Sequence, residues 1–461
     1  MTTPTHVFGQ GAREYALSHG WTATTIIEGE SLNVAAGAKG DTPETARHIV
    51  VTPGHYRDVK LGLGKRRYIT LEGAPEARPC FEDTQDDPDV SVISVSGLRD
   101  FTVRHLELKN VPVSGGVPAK DGPCTVTFED NYQHSWLRDR NGFACGNEDM
   151  RQPLAITYRR NRLDGVGWGS NLRHTLYVGS RAHSSLDAYE NIFIGARGCS
   201  QLKTKCNTNT IRRNAFLSKS TALDDEGRPY TAHSMIDMVA CTQAVISGNE
   251  FLCWKGDRSQ IPAARNGIRT PPIFLRLRTS LDGSDIPGYP RQLFYPDYLQ
   301  NPAQLAQVNV VSPGAGWAPG PETWMDPDFW ADVAAHELAD PANPFAFQVY
   351  VSGNTFRYED GSQPMPALRD DGTLPVAEYA QGSGKGVRVP VPVPWRELSV
   401  AFLCDNTYDG GAFLPPILDA EPNIAETCPG YLVRSEPYHY PQAIEVPLVV
   451  PPPQVPDWFK V

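Results

Sequence analysis

Asn161-Arg-Leu163, Asn191-Ile-Phe193 and Asn214-Ala-Phe216 all fall between Arg151 and Ser220, each an asparagine followed two residues later by an apolar side chain. The phrase returns as Asn249-Glu-Phe251 and Asn354-Thr-Phe356. Over the first four the spacings are 30, 23 and 35 residues. Short β-rich phrases at such intervals are each too small to bury a hydrophobic face alone, so successive coils must supply one another's core. Unequal spacing argues against helical repeats of fixed length. It fits a β-solenoid whose strands keep register while the loops between them vary. Asparagines at one place in successive coils can hydrogen-bond along the stack and satisfy turn backbone that is otherwise buried and unpaired. Asn161, Asn191, Asn214 and Asn249 therefore read as structural residues.

The chain has 461 residues, enough for one elongated domain that uses its whole hydrophobic complement in a single core. Its 40 glycines and 41 prolines suit short strands and many turns. No apolar run approaches the roughly 18 residues of a membrane-spanning helix, so no membrane insertion is expected. The opening MTTPTHVFGQGAREYALSHG lacks the basic and apolar regions of a secretory signal. That start suits a protein released within a virion, or an extracellular one whose signal has been removed. The nine cysteines are scattered without a CxxC pair and read as buried free thiols. Net charge is −11, yet Arg151–Ser220 holds twelve basic and three acidic residues. On adjacent coils about 4.8 Å apart, such residues are expected to form a basic surface that a polyanion can follow. No nucleic-acid partner is expected.

Along the chain, residues 1–45 read as an N-terminal cap containing most of the Ala-rich SLNVAAGAKGDTPETA. The stack proper follows over 46–254. It opens with HIVVTPGHYRDVKL and RRYITLEG, and continues with VSVISVSGLRDFTVRHLELKN, where Phe101, Val103, Leu106 and Leu108 fall largely on one face. Between 255 and 345 the pattern gives way to a Pro- and aromatic-rich insertion, with a short helix predicted over Asp326–Leu338 from an Asp N-cap and Pro327. Coils resume over 346–410. The tail, 411–461, is too Pro-rich for a central strand and should run extended.

This order of phrases, an Ala-rich cap, a PG-x-Y coil at Pro53–Tyr56 and a stack of Asn-x-apolar coils, resembles the right-handed parallel β-helix (pectate-lyase-like) superfamily of polysaccharide lyases, glycoside hydrolases and phage tailspikes. The resemblance covers about residues 25–255 and resumes in QVYVSGNTFRY and LSVAFLCDNTY. It implies an all-β, single-stranded right-handed parallel β-helix with an N-terminal cap, one lateral insertion and an extended tail. HTLYVG, the Gly198-to-Lys203 segment and Ser234-Met-Ile-Asp237 also look like a group of bacterial and phage β-helix proteins. Their second segment commonly reads G-H-x-x-K; here Cys199 or Ser200 replaces the His, so no shared catalytic histidine is carried over.

Three strands align as His174-Thr-Leu-Tyr177-Val, Ser200-Gln-Leu-Lys203-Thr and Ser234-Met-Ile-Asp237-Met. Alternation puts Leu176, Leu202 and Ile236 inward, and Tyr177, Lys203 and Asp237 outward on consecutive coils. Tyr177, Lys203, Asp237 and His174 are the expected catalytic group, with Arg181, Lys205 and Arg213 as substrate-binding cations. A β-elimination of a uronic-acid polymer needs a cation for the carboxylate, a base for the C5 proton and an acid for the leaving oxygen. Hydrolysis needs two carboxylates flanking the bond, and few lie in this stretch. Against both stands a plain cross-strand salt bridge with an aromatic neighbour. No metal site is indicated, calcium included, and no cofactor is expected. The resulting expectation is a virion-associated, tailspike-like protein that recognises, and in its enzymatic form depolymerises, a host surface glycan. A bacterial polysaccharide lyase and a purely structural virion component are the alternatives. Partners would be a polysaccharide or cell-surface glycan, with a homotrimer or other virion proteins left open.

Overall fold

A computed structural model of the chain describes residues 3–29, 32, 42–60, 63, 67–85, 93–94, 97, 99–114, 122–136, 140–146, 154–167, 173–178, 184–195, 200–206, 208–217, 234–239, 243–253, 273–276, 280–281, 347–358, 368–370, 387–388, 399–409, 417–418 and 432–434. The protein is predominantly β. Three all-parallel sheets of 13, 10 and 9 strands, here the first, second and third, carry nearly all of its strands. The chain visits them in turn. Leu154–Arg159 lies in the first sheet, Arg162–Asp164 in the second and Leu176–Val178 in the third; Ser184–Tyr189, Ile192–Ile194 and Ser200–Thr204 repeat the circuit on top. Each strand thus pairs with its counterpart one circuit earlier and one later. Inward alternation fills one continuous core, in which Phe101, Val103, Leu106 and Leu108 are fully buried.

The corner between the first and second sheets carries the expected asparagines. The residue before each adopts a left-handed backbone: Asp130, Arg160, Glu190, Arg213, Gly248, Gly353 and Asp405 have φ between 52° and 62°. Such a conformation costs a non-glycine residue roughly 1–2 kcal/mol. What holds it is a ladder of buried amides through Asn131, Asn161, Asn191, Asn214, Asn249, Asn354 and Asn406. In each but Asn406, the last, the backbone N–H and Nδ2 both donate to the Oδ1 of the next coil's asparagine, as from Asn191 to Asn214 at 2.9 Å. Nδ2 also donates to a carbonyl of the preceding coil, as Asn214 does to Ala188 at 3.0 Å. Because the apolar residue sits two positions on, its ring stacks too. Phe193, Phe216, Phe251 and Phe356 form a column with centroids 4.8, 5.1 and 4.8 Å apart.

At the N-terminal end, the helix Ala12–Ser18 lies on the outer face of the first sheet, burying Ala12, Ala16 and Trp21 against Val7 and Val50. Leu32 enters the main core. Within 255–345, Ile273–Arg276 is a third-sheet strand beside Ser234–Val239, and Ser280–Leu281 pairs antiparallel with Val387–Arg388. The helix predicted over 326–338 lies outside the described residues. In 411–461, Ile417–Leu418 and Leu432–Arg434 still pair with third- and first-sheet strands. Among the described residues Cys80, Cys124, Cys145 and Cys206 are free thiols, the last three buried. Burial pushes the Cys145 thiol up.

Replacing Asn214 by Ala should lower stability by about 1–3 kcal/mol, because it strands both the Asn191 donors and a buried carbonyl; urea unfolding checks this. Acid should also weaken the stack. Burial by itself raises Glu72, but hydrogen bonds from His48 and Arg104 outweigh it and hold the carboxyl below its ordinary 4.5. A hydrogen bond from His134 does the same for Glu107 against its burial. A depressed folded value gives stability that is complete above the ordinary carboxylate range and is lost as pH falls through the lower folded value. Melting temperature should therefore fall as pH drops below about 4.5, and Glu72→Gln should flatten that fall.

Candidate functional site

Three neighbouring strands of the third sheet hold the site. Leu176 pairs with Leu202 and Leu202 with Ile236; Tyr177 pairs with Lys203 and Lys203 with Asp237; Val178 pairs with Thr204 and Thr204 with Met238. This is the register expected from alternation. Leu176, Leu202 and Ile236 are fully buried in the core, so the middle row projects from the opposite face.

The side chains converge there. The Lys203 ammonium lies 3.9 Å from Asp237 Oδ2, and Asp237 is fully buried while the Lys203 side chain keeps 17% of its exposure. The Lys203 and Lys205 ammonium groups lie 5.7 and 6.0 Å from the centre of the Tyr177 ring, within range of cation–π attraction. Lys205 is itself 5% exposed, its stem packed and its charge held at the ring. The His174 ring is tilted by 30° against Tyr177 at 5.3 Å.

His174 is fixed from two sides. Its backbone N–H donates to Asn141 Oδ1 at 2.7 Å, and its Nδ1 accepts the Ser200 N–H at 3.1 Å. An amide hydrogen can point only at a lone pair, so Nδ1 is unprotonated and the proton of the neutral ring sits on Nε2. Gly167, at φ +86°, passes so close that a Cβ there would stand 2.5 Å from the His174 carbonyl carbon. That close approach accounts for a glycine at position 167. Below the row, Ser200 and Ser234 share a buried hydroxyl hydrogen bond of 3.0 Å. Among the described residues, no group of three or more His, Cys, Asp or Glu is gathered so as to hold a metal ion.

Of the seven expected site residues, five come together: Tyr177, Lys203, Asp237, His174 and Lys205. Arg213 does not join them. It occupies the left-handed corner between the first and second sheets and is ion-paired with Glu190. Arg181 lies outside the described residues. The expected basic surface needs correction as well. Arg160 pairs with Asp130 at 2.7 Å, Arg212 with Asp187 at 3.4 Å, and Arg159 with Glu129, so these arginines are engaged by carboxylates of adjacent coils. Arg162 is drawn to Asp164 at 3.8 Å in the second sheet. A count along the chain merges residues that the circuit distributes over three sheets. Two contributors were missed, Asn141 and the Ser200 amide. Each bond joins a backbone N–H of one coil to a side chain of its neighbour, Asn141 Oδ1 accepting from His174 and the Ser200 N–H donating to His174 Nδ1, and no motif marks the two partners.

Compared with known family models, with curated proteins and with solved structures, the chain matches none.

Removing Lys203 takes away a cation beside a carboxylate that is fully buried. Lys203→Met alone should cost about 1–3 kcal/mol, and Lys203→Met with Asp237→Leu should recover most of it. Thermal unfolding of the two single variants and the double closes the cycle.

Proposed function

We propose that the stack is a single right-handed parallel β-helix of the virion-associated, tailspike-like kind, and that its third sheet recognises an acidic glycan of a host surface. A general preference supports the right-handed reading, since a strand that leaves a sheet and returns parallel to it does so right-handed in about 98% of cases. The observation that carries the glycan reading is the Tyr177 ring with two ammonium groups, Lys203 and Lys205, at 5.7 and 6.0 Å. An aromatic face suits the apolar face of a sugar ring, and the flanking cations suit its carboxylate. Asp237 behind Lys203 holds one of those cations in place.

Cleavage by β-elimination is the second reading, shared by a tailspike and by a free-standing bacterial lyase. It is favoured by the two cations beside Tyr177, which suit the carboxylate of a uronic acid, with the Tyr177 phenol as the proton-transfer group; the His174 ring offers only an Nε2–H donor, since its Nδ1 lone pair takes the Ser200 N–H. The cluster has a single carboxylate, which suits elimination better than the two-carboxylate chemistry of hydrolysis.

Calorimetric titration with a panel of acidic and neutral polysaccharides tests recognition, and ultraviolet absorbance of unsaturated ends, read beside reducing ends, tests cleavage. Binding of an acidic polymer should weaken with added salt, since exposed charges are screened over about 8 Å at physiological ionic strength. Lys203→Ala and Lys205→Ala should each weaken it by about tenfold, as expected for a charge-assisted contact. If Lys203→Ala and Tyr177→Phe left both binding and cleavage unchanged, the row would be a structural ladder and the site would lie elsewhere.

A further inference from the structure

The outer face of the first sheet carries threonines in register. Thr70 pairs with Thr102, Thr102 with Thr127, and Thr127 with Thr157; the row continues through Asp187 to Thr210. Two residues earlier on the strands, Tyr68, Asp100, Thr125, Ala155, Ser185 and Thr208 form a second row, with Asp100 its one charge. Both rows face away from a core that takes Phe101, Val126, Ile156 and Leu186. The five threonines of the first row are partly exposed. Among the described residues, their hydroxyls are engaged by no other protein group.

This strip has ends. Toward the N-terminus the helix Ala12–Ser18 covers the face at Val7 and Val50. Beyond Thr210 the row passes to Val245 and Tyr350, which are 2% and 1% exposed. Six coils remain open, about 24 Å at one coil per 4.8 Å. One flank is a charge ladder that neutralises itself: Glu72 with Arg104 at 2.7 Å, Arg104 with Glu129 at 3.5 Å, and Glu129 with Arg159. Asp187, the one charge in the row, lies 3.4 Å from Arg212.

We propose that this strip docks an uncharged, hydroxyl-rich polysaccharide chain lying along the axis of the stack. A hydroxyl both donates and accepts, and here hydroxyls recur at coil spacing in a straight line, as the hydroxyls of an extended sugar polymer do along its edge. The self-compensated flank offers an ion nothing to replace, so the face selects for hydrogen bonding over charge. The surface goes beyond the acidic-glycan reading: it lies on a different sheet, takes a different ligand class and stands whether or not the third sheet binds anything.

The test uses the full chain, with insoluble cellulose and starch as probes and depletion from solution as the readout. Thr102→Val, Thr127→Val and Thr157→Val are combined in one variant, which removes three hydroxyls while keeping shape and strand preference. Circular dichroism should be unchanged, with a melting temperature equal or higher. Wild type should be retained on at least one polymer at both low and high salt, and the triple variant at least about tenfold more weakly. Thr127→Lys, a single outward change, should give the same loss by obstructing the strip. Retention should be undiminished by an excess of soluble acidic polysaccharide, which separates this surface from the third-sheet site. The proposal is overturned if neither polymer retains the wild type, or if the triple variant is retained equally. It is also overturned if the triple variant sediments as a smaller species than wild type, since the face would then join two copies of the chain.

Discussion

Each coil must turn between the first and second sheets with its backbone removed from water, and an unpaired amide there costs more than a hydrogen bond returns. The asparagine ladder answers that constraint. One side chain per coil accepts two hydrogen bonds from the coil before it and returns one to a carbonyl, so the corner is satisfied only when the coils are stacked in register. The same ladder permits Arg160, Glu190 and Arg213 to hold left-handed backbones that glycine takes more easily. It also places the rings of Phe193, Phe216, Phe251 and Phe356, each two residues after its asparagine, at the same height in successive coils. Core packing and corner geometry are therefore one arrangement.

Register, once fixed at that corner, propagates around the circuit. It sets Lys203 beside Tyr177 and Asp237 in the third sheet, and Glu129 between Arg104 and Arg159 in the first. Opposite charges in adjacent coils favour this stacking, and a slip by one coil would set Arg104 against Arg159 and Glu72 against Glu129. Coil-to-coil ion pairs of this kind discriminate between registers more than they add stability, because most remain partly open to solvent.

The period-2 alternation and the Asn-x-apolar phrase made the stacked corner and the third-sheet row legible, because both depend on residues a fixed number of positions from one anchor. What resisted reading depends on distance around the circuit. The span from Glu190 to Arg213 is 23 residues, while that from Asn214 to Asn249 is 35. Loops of different length therefore hide which charges face each other. Arg213 looked like a neighbour of Lys205 in sequence, yet a corner separates them. The strand Ile273–Arg276 was obscured for a related reason: it enters the third sheet from a stretch whose Pro-rich surroundings mask the alternation. The support of His174 by the Ser200 amide was illegible in principle, since any residue at 200 other than proline supplies the same N–H.

The two proposed ligand surfaces follow from one structural fact applied to different side chains. A parallel stack repeats its outward positions along a line, so whatever residue type occupies a row becomes a linear array with the spacing of the coils. In the third sheet the row changes identity at each coil, from Tyr177 to Lys203 to Asp237, and so defines a local cluster with distinct chemical parts. In the first sheet the row repeats Thr at four consecutive coils from Thr70 to Thr157 and defines a uniform track. Under the proposed reading, a changing row suits recognition of one sugar unit and a repeating row suits alignment of a chain. Both are carried by strands packed on a continuous core, and side chains anchored in this way hold their geometry better than those on loops.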